Sequence, residues 1–337
     1  MAIFTDVICD VTKEGRKLPT SEYKDSGLYP IIDQGQNDIA GYTDETTGLF
    51  SDVPAIIFGD HTRVIKYVDA PFFIGADGVK ILKAKDNKAN YKFLYYALSA
   101  AKIPNTGYNR HFKWLKEIDI PTYSEQEQEK SVSELDKTVA LIELRTEQLD
   151  KLNELVKSRF IEMFGDPITN NKNLPEKDFI DVIMLQRGFD LPVQNRDSSG
   201  SIPVYGSNGV LDYHTEKKCT NGIITGRSGT IGKVYYCKEE YWPLNTTLFS
   251  VKTNGNNIIY LAHLLEYYKL DRFYDGTGVP TLNRNIVHKQ KILDAPIDLQ
   301  NQFAEFVEQT DKLKFEVKEA LEKLETLKKS LMQQYFG

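Results

Sequence analysis

The chain of 337 residues repeats itself at long range, and this repeat constrains its fold more than any other feature. The stretch LDKLNELVKSRFIEMFG at residues 149–165 recurs as LEKLETLKKSLMQQYFG at residues 321–337. Similarly, FTDVI at residues 4–8 recurs as FIDVI at residues 179–183. The period is far longer than the roughly 20–45 residues of a solenoid repeat. We therefore predict two copies of one unit, each made of a domain and a helix.

Further matches between the two halves keep the same order along the chain. They pair Leu18 with Leu191, Gly27 with Gly200, Pro30 with Pro203 and Asn109-Arg110 with Asn283-Arg284. AIIFGDHTRVIKYV at residues 55–68 lines up with GIITGRSGTIGKVYY at residues 222–236. In both, a short apolar run ends in a glycine turn, which is typical of a strand that leads into a loop.

Two kinds of helix are predicted in each half. NYKFLYYALSAAK, from residue 90, and NIIYLAHLLEYYKL, from residue 257, are apolar enough for a helix that packs on a domain. An X-Pro dipeptide then precedes a longer, charged helix with a narrow apolar stripe. The stripe comprises Leu135, Val139, Ile142, Leu149, Leu152, Val156, Phe160 and Met163 in the first half, and Leu313, Val317, Leu321, Leu324, Leu327 and Leu331 in the second.

A narrow stripe favours a two-helix seam of the coiled-coil kind, although each helix could instead pack on its own domain. A helix over residues 131–164 would be roughly 50 Å long at 1.5 Å per residue, which is long enough to act as a spacer. The predicted organisation is a first domain at residues 1–123, a central helix at 124–165, a linker at 166–178, a second domain at 179–297 and a C-terminal helix at 298–337.

The composition is that of an ordinary folded protein, with 41% hydrophobic and 27% charged residues. The longest apolar runs fall short of the ~20 residues that span a bilayer, and the N-terminus lacks the pattern of a signal peptide. Three cysteines without a CxxC pair suggest neither a disulfide framework nor a zinc site. These features predict a reduced, cytoplasmic protein.

The net charge of −6 argues against a general polyanion binder. However, the acidic excess is concentrated in the helical segments: residues 124–164 alone carry 10 acidic and 6 basic side chains. The two larger blocks are nearly neutral, so a local basic face on either one remains possible.

Patterns that indicate catalysis are missing from the sequence. GRSGTIG at residues 226–232 is neither GxGxxG nor a P-loop, because Lys233 is followed by valine. The five histidines lack HExxH or similar metal-ligand spacing, and there is no Gly-x-Ser-x-Gly motif. We expect no catalytic residue and no metal site in this chain.

Basic, amide and aromatic side chains are mixed on probable loops of both halves. Arginine and asparagine have the forked geometry that reads guanine and adenine edges, while lysine neutralises phosphate. The candidate DNA-binding residues are His61, Thr62, Arg63, Lys66, Tyr108, Asn109, Arg110, His111 and Lys113 in the first half, and Ser207, Asn208, Arg227, Ser228, Thr230, Lys233, Thr281, Asn283, Arg284 and Asn285 in the second. The alternative is that these loops are ordinary solvated surface.

With these features together, the chain resembles the specificity subunits of type I restriction–modification enzymes. The resemblance covers essentially the whole chain and depends on the two-unit layout and on four segments. These segments are residues 56–82, residues 222–251, the IP…EQ helix start at 120–126 and RFIEMFGDP at 159–167.

The resemblance implies an α/β fold class, with two pseudo-repeated α/β target-recognition domains joined by two long antiparallel coiled-coil helices. It implies a non-catalytic subunit in which each domain reads one half of an asymmetric, bipartite target in double-stranded DNA. The helices would set the spacing and dock two adenine methyltransferase subunits, and restriction/translocase subunits would join for ATP-dependent cleavage. S-adenosylmethionine, ATP and Mg²⁺ would then belong to those partners.

Two departures from the pattern stand out. The second long helix starts with DLQNQ where the first has SEQEQ, and the first recognition domain begins almost at Met1, which leaves open how the termini meet. Two other functions also remain open: a coiled-coil scaffold or interaction protein, and a stand-alone DNA-binding decoy or regulator without a methyltransferase.

Overall fold

The computed structural model describes residues 1–75, 77–275 and 278–337. Two compact units are present: unit 1 comprises Met1–Thr146 and Glu319–Gly337, and unit 2 comprises Glu147–Lys318. The two sequence repeats follow one another along the chain, whereas unit 1 also contains the end of the chain.

The first half contributes nine strands and four helices. The strands are β1 (Ala2–Ile3), β2 (Ile8–Asp10), β3 (Tyr29–Ile32), β4 (Gly41–Thr43), β5 (Ala55–Gly59), β6 (Ile65–Val68), β7 (Phe73–Ile74), β8 (Val79–Ala84) and β9 (Asp119–Ile120). The helices are α1 (Phe4–Val7), α2 (Tyr91–Ser99), α3 (Phe112–Leu115) and α4 (Glu125–Phe164).

The second half repeats this order closely. Its strands are β10 (Glu176–Asp178), β11 (Met184–Arg187), β12 (Ile202–Gly206), β13 (Gly209–His214), β14 (Cys219–Gly226), β15 (Val234–Pro243), β16 (Thr247–Lys252), β17 (Tyr274–Asp275), β18 (Thr281–Leu282) and β19 (Lys291–Leu293). Its helices are α5 (Phe179–Val182), α6 (Ile258–Tyr268), α7 (Arg284–Val287) and α8 (Ile297–Phe336).

Both units are built on a central, mainly antiparallel sheet. In unit 1 the strand order is β2-β8-β5-β6, beside a smaller sheet of order β4-β3-β7. In unit 2 one six-stranded sheet has the order β11-β16-β14-β15-β12-β13. The ten-residue strand β15 pairs antiparallel with β14 and, near its end, parallel with β12. In unit 1 two separate strands make these pairings: β6 pairs antiparallel with β5, and β7 pairs parallel with β3.

Apolar strands and one helix form the core of each unit. Every residue of β5 is buried, because β5 lies between two neighbouring strands and carries AIIFG. The helix-like segments of the sequence are confirmed as α2 and α6. An asparagine caps each: the Asn90 side chain accepts from the Phe93 amide at 3.0 Å, and the Asn257 side chain accepts from the Ile259 amide at 3.0 Å.

Within unit 1, the start of α4 lies against the end of α8. The Tyr335 hydroxyl donates to Glu134 Oε2 at 2.7 Å, and the Tyr123 hydroxyl donates to the Tyr335 carbonyl at 2.7 Å. The ring of Phe336 packs on that of Phe93 in α2, with the centroids 5.3 Å apart. Residue numbers rise along α8 as they fall along α4, so the predicted antiparallel pairing is confirmed here.

Within unit 2, the end of α4 packs on the start of α8 and on α6. Phe160 and Phe164 are fully buried, with ring centroids 5.4 and 5.6 Å from that of Phe303. In unit 2 the end of α4 and the start of α8 therefore pair with each other and also pack on the domain through α6. Leu313 and Leu327 depart from the predicted stripe, because they are 51% and 46% exposed.

The long helices contain 40 residues each. The helix α4 lies within the predicted span of residues 124–165, and it begins six residues before the segment 131–164 on which the length estimate was based. Ser124 and Glu127 form a capping box at the start of α4: the Ser124 amide donates to Glu127 Oε2 at 2.9 Å and the Ser124 hydroxyl at 2.6 Å. In α8 the first turn instead follows Pro296, whose carbonyl accepts from the Leu299 amide at 3.0 Å. The two helix starts are therefore unlike, as SEQEQ and DLQNQ predict.

The segment at residues 166–178 is hydrogen-bonded into unit 2. The Asp166 amide donates to Asn171 Oδ1 at 3.0 Å, and the Asp294 amide donates to the Pro175 carbonyl at 2.8 Å. Among the described residues, no helix is both long and apolar enough to cross a membrane.

Candidate nucleic-acid interface

Three loops of unit 1 meet at one end of its central sheet: the β3–β4 loop at residues 33–38, the turn after β5 at residues 60–63 and the segment before α3 at residues 105–111. The Thr62 hydroxyl donates to the Gln34 carbonyl at 2.6 Å, which joins the first two loops. A Cβ on Gly59 would lie 2.2 Å from Thr62 Oγ1, so this close approach requires glycine.

Asp60 joins the turn to the segment before α3. Its buried carboxylate accepts from the Phe112 amide at 2.7 Å, and its carbonyl accepts from the His111 amide at 2.7 Å and from His111 Nδ1 at 3.0 Å. His111 is 0% exposed and its ring also packs on Trp114. The structure therefore places His111, predicted as a DNA contact, inside the unit, where it holds the loops together.

Lys66 is likewise directed inward. Its side chain is 4% exposed, and its ammonium donates to the Asn37 carbonyl at 2.6 Å and lies 3.6 Å from Asp33 Oδ1. Burial lowers the pKa of the Lys66 ammonium, while Asp33 and Asp38 act in the opposite direction. Lys66 thus braces the β3–β4 loop and is not exposed to a phosphate.

The outer surface of unit 1 carries a stacked aromatic pair. The rings of His61 and Tyr108 lie 4.4 Å apart and are nearly parallel, at 7°, and Tyr108 is 86% exposed. His61 Nδ1 donates to the Asn109 carbonyl at 3.2 Å, which fixes the pair across the two loops. The Asn109 side chain donates to the Thr106 carbonyl at 2.5 Å.

Other candidates of unit 1 lie around this pair. Arg110 is exposed and close to Asp77; the pKa of that carboxyl is lowered by the hydrogen bond from Lys17 and, to a lesser degree, by the charge of Arg110. Arg63 adopts a left-handed φ of 64° and donates to the Ile103 carbonyl at 3.3 Å. Lys113 is exposed over the ring of Trp114, with its ammonium 4.1 Å from the centroid.

The corresponding three loops of unit 2 meet in the same way. The turn at residues 227–230 pairs with the segment before α7 through an antiparallel bridge between Ser228 and Thr281. Lys233 donates to Asn208 Oδ1 in the β12–β13 turn at 2.7 Å. A Cβ on Gly226 would lie 3.1 Å from the Ser207 carbonyl, as one on Gly59 would lie 3.2 Å from that of Gln34.

Backbone hydrogen bonds give the register between the units. The Phe4 amide donates to the Ile118 carbonyl at 3.1 Å, and the Phe179 amide donates to the Gln290 carbonyl at 2.8 Å. Residues 118 and 290 therefore correspond, an offset of 172.

The same offset holds through the short helices α3 and α7. The Leu115 amide donates to the His111 carbonyl at 3.3 Å, and the Val287 amide donates to the Asn283 carbonyl at 3.2 Å. His111 thus corresponds to Asn283. The sequence pairing of Asn109-Arg110 with Asn283-Arg284 is wrong by two residues, because the two-letter match is too short to fix the register of a loop.

Within this common backbone frame the side chains are unlike. The register pairs Gln34 with Ser207, Asp60 with Arg227 and His111 with Asn283. The turn after the central strand is two residues longer in unit 2, because Phe58 pairs with Ile65 whereas Thr225 pairs with Val234. The frame is conserved between the repeats, and the exposed chemistry is not.

Unit 2 has a cleft of about 310 Å³, lined among others by Arg187, Arg227, Thr281, Asn283, Arg284 and Asn285. The Asn283 side chain caps α7, because its Oδ1 accepts from the Asn285 amide at 3.0 Å. The side chains of Arg284 and Asn285 are exposed. The cleft therefore presents several arginine and amide donors to solvent.

The sequence reasoning missed four residues of these surfaces. Gln34 holds the loops of unit 1, with Nε2 donating to the Asp77 carbonyl at 2.9 Å and Oε1 accepting from the His61 amide at 3.2 Å. Gln36 and Asn37 are exposed beside it, and Arg187 lies in the cleft of unit 2. The pairing of Pro30 with Pro203 could have revealed Gln34, since the same offset leads to Ser207. Arg187, the last residue of β11, has no such signal in the sequence.

Within residues 1–75, 77–275 and 278–337, no group of three or more histidine, cysteine, aspartate or glutamate residues could hold a metal ion. The chemistry of both faces is hydrogen bonding, charge and aromatic contact.

Comparison with known proteins identifies the family. The model of the type I restriction modification DNA specificity domain matches twice, at residues 6–154 and 172–328. The chain belongs to this family. The two matches include all three loops of each unit, so the loop frame described above is part of the specificity domain in both copies.

Individual relatives agree with this assignment. The specificity subunit of the type I restriction enzyme EcoR124I/EcoR124II of Escherichia coli is 32% identical over 146 residues, which is 40% of this chain and 36% of that protein. The match thus spans little more than a third of the relative's length.

Solved structures show the same fold over nearly the whole chain. The S subunit of a type I restriction–modification system from M. genitalium has a TM-score of 0.69 at 18% identity, covering 99% of this chain and 95% of that one. A chain from a structural study of complex assembly and conformational transition of the type I R-M system has a TM-score of 0.55 at 15% identity, covering 98% and 97%. The predicted fold class is confirmed.

Proposed function

We propose that this chain is the DNA-reading specificity subunit of a type I restriction–modification complex, and that each unit reads one half of an asymmetric, bipartite target. The observation that carries the proposal is the pair of loop faces: the turn after the central strand and the segment before the short helix are joined by the stacked rings of His61 and Tyr108 in unit 1, but by a backbone bridge between Ser228 and Thr281 in unit 2. If both units bound the same DNA sequence, their loops would be expected to carry the same exposed side chains. Two unlike faces suit two unlike half-sites.

The chemistry of the faces fits base edges and phosphates in the major groove. Arginine forks and amide side chains recognise base edges, and the exposed cations neutralise phosphate. The exposed members of the predicted set, among them Arg110, Lys113, Asn208, Lys233 and Arg284, are proposed as DNA contacts. Lys66 and His111 are proposed to act through the loops that they hold.

The partners follow from the same proposal. Two methyltransferase subunits would dock on the subunit, restriction/translocase subunits would join them, and S-adenosylmethionine, ATP and Mg²⁺ would bind to those partners. This chain itself would be non-catalytic and would act in the cytoplasm. The E. coli relative is named as the specificity subunit of a type I restriction enzyme, which supports such an assembly.

Methylated-motif detection in cells with and without this gene tests the proposal. We expect an adenine-methylated bipartite motif with two different halves that disappears when the gene is removed. An unchanged methylome would contradict the methyltransferase-linked function and favour a decoy or a scaffold. Co-purification provides a second readout, since two methyltransferase copies per chain are expected.

A substitution in one face sharpens this experiment. Tyr108→Ala removes the exposed ring of unit 1 without touching the buried frame, so we expect a changed or relaxed first half and an unchanged second half. Val210→Ala is a matched control, because Val210 is an exposed apolar residue of unit 2, and it should leave the first half intact. If Tyr108→Ala altered both halves equally, separate reading by the two units would be refuted.

A further inference from the structure

The cleft of unit 2 carries arginines where unit 1 has other residues, although the strands beneath it correspond. Arg187 and Leu248 are paired across β11 and β16. In unit 1 Lys80 takes the place of Leu248, and its ammonium donates to Asp10 Oδ2 at 2.9 Å. Resting on the proposed function, we propose that Arg227 reads a guanine in the half-site of unit 2, while Arg284 contacts an adjacent phosphate.

The backbone and one nitrogen of Arg227 are fixed by the surrounding structure. Its amide donates to the Thr246 carbonyl at 2.8 Å, and its carbonyl accepts from the Leu282 amide at 2.8 Å. One terminal nitrogen of its guanidinium donates to the Asn245 carbonyl at 2.9 Å. A guanidinium has five N–H donors, so four remain for a ligand.

A second arginine is tied to the same network. Arg187 donates to Asp190 Oδ1 at 3.1 Å, and the Asn245 side chain also donates to Asp190. Asn245 therefore links the two arginines, through its carbonyl to Arg227 and through its amide and Asp190 to Arg187. A guanidinium that is already held in place before DNA binds loses less conformational entropy on binding. This favours specific recognition of a base over non-specific electrostatic attraction.

Arg284 differs from Arg187 and Arg227 in the contacts of its side chain. Its side chain is exposed at the start of α7, and none of the described residues forms a hydrogen bond or ion pair with it. An exposed cation at the cleft suits a phosphate, which any positive charge can neutralise.

Unit 1 shows that the scaffold does not require these arginines. Asp60 replaces Arg227 there, and its buried carboxylate accepts from the Phe112 amide. Phe112 replaces Arg284 and fills the space, with its ring 6.1 Å from those of Phe4 and Phe58. The same frame is thus stable with acidic and aromatic residues, so the arginines of unit 2 are explained by what they bind.

Guanine is the base that matches a fixed arginine fork, since its O6 and N7 accept two parallel hydrogen bonds in the major groove. Lysine is a point charge and cannot reproduce the fork, although it can replace arginine at a phosphate. Replacement by lysine therefore separates the two kinds of contact.

The test is selection of duplexes from a random library by the full chain at about 50 mM salt, where phosphate contacts are strong. The wild type is compared with Arg227→Lys, Arg227→Ala, Arg284→Lys and Arg284→Ala. Arg110→Ala is the matched control, because it removes an exposed arginine from unit 1. Equal thermal unfolding midpoints check that the variants are folded; if Arg227→Ala fails this check, Arg227→Lys alone decides the result.

Both Arg227 variants should lose preference for one guanine in one half-site by roughly 5- to 150-fold, with the other half unchanged. Arg284→Ala should weaken binding to all sequences alike, and Arg284→Lys should restore it. Retained guanine preference in Arg227→Lys would overturn the inference, as would a change in the half-site that Arg110→Ala affects. If the wild type selects no duplex, the proposed function itself fails; a bipartite site without an Arg227-dependent guanine rejects only the inference.

Discussion

The repeated ends of the long helices make a matched pair of stability predictions. Phe164 ends α4 and Phe336 ends α8, and the offset of 172 makes them equivalent. Phe164 is fully buried, with its ring centroid 4.7 Å from that of Tyr260 in α6. Phe336 is only partly buried, 5.3 Å from Phe93 in α2. Each phenylalanine therefore stabilises a different unit.

The burial of the two rings gives the expected magnitudes. Phe164→Ala removes a fully enclosed ring, which typically costs about 3–5 kcal/mol. Phe336→Ala removes a partly exposed ring with one close aromatic partner in α2, which should cost about 1–2 kcal/mol. These losses should appear mainly in the unit that each ring contacts, because local opening follows local packing.

Hydrogen–deuterium exchange of the full chain measures both effects. We expect Phe164→Ala to speed exchange in α6 by roughly 100-fold or more, and Phe336→Ala to speed exchange in α2 by roughly 5- to 30-fold. Ile161→Ala, on the exposed side of α4, should change neither. If Phe336→Ala loosened α6 and left α2 protected, the assignment of the end of α8 to unit 1 would be refuted.

Three further predictions concern spacing, salt and pH. Four residues inserted after Asp150 in α4 should lengthen the unread stretch of base pairs between the half-sites, or abolish function, without changing either half-site. Methylome sequencing would show this, and a changed half-site would contradict the role of the helices as a spacer. The isolated chain, with its net charge of −6, should bind DNA weakly and lose binding steeply with salt, and a nanomolar, salt-insensitive complex in a titration would contradict this. Burial and, less strongly, the charge of Arg284 lower the pKa of His288, whose Nε2 accepts from the Leu185 amide at 3.1 Å. The neutral imidazole therefore stabilises the folded state. This contribution is complete above about pH 6.5 and is lost as the pH falls. The denaturant concentration at the midpoint of unfolding of unit 2 should therefore decrease as the pH is lowered from 7.5 to about 5.5. This decrease should be smaller in His288→Gln, and an equal decrease would exclude His288 as its cause.

Local sequence patterns predicted the helices and the main strands well. The apolar runs of α2 and α6 and the glycine-ended strands β5 and β14 depend on residues close in sequence, so periodicity and turn residues are sufficient to find them. The packing of the end of α8 on α2 and on the start of α4 depends on contacts between residues more than 200 positions apart. No pattern within a segment contains that information.

The candidate faces were harder to predict than the fold, because charge alone does not show where a side chain points. Lys66 is basic yet buried, since the β3–β4 loop supplies a carbonyl for its ammonium. Conversely, the neutral residues Gln36 and Asn37 are exposed in the β3–β4 loop. Basic residues were therefore useful as a guide to the loops, and insufficient as a guide to the contacts.

The scaffold and the faces follow different rules, and a repeated glutamine contact shows why. Gln128 Nε2 donates to the Tyr123 carbonyl at 3.0 Å in unit 1, and Gln300 Nε2 donates to the Ala295 carbonyl at 2.7 Å in unit 2. This contact recurs at an offset of 172, and in unit 2, where Gln300 is buried, an unpaired amide would cost about 1–3 kcal/mol. An exposed side chain such as Tyr108 faces no such penalty, so it can be replaced at little cost in stability. If the proposed function holds, a chain built in this way can change the sequence that it reads in one unit while the frame, and the other unit, stay as they are.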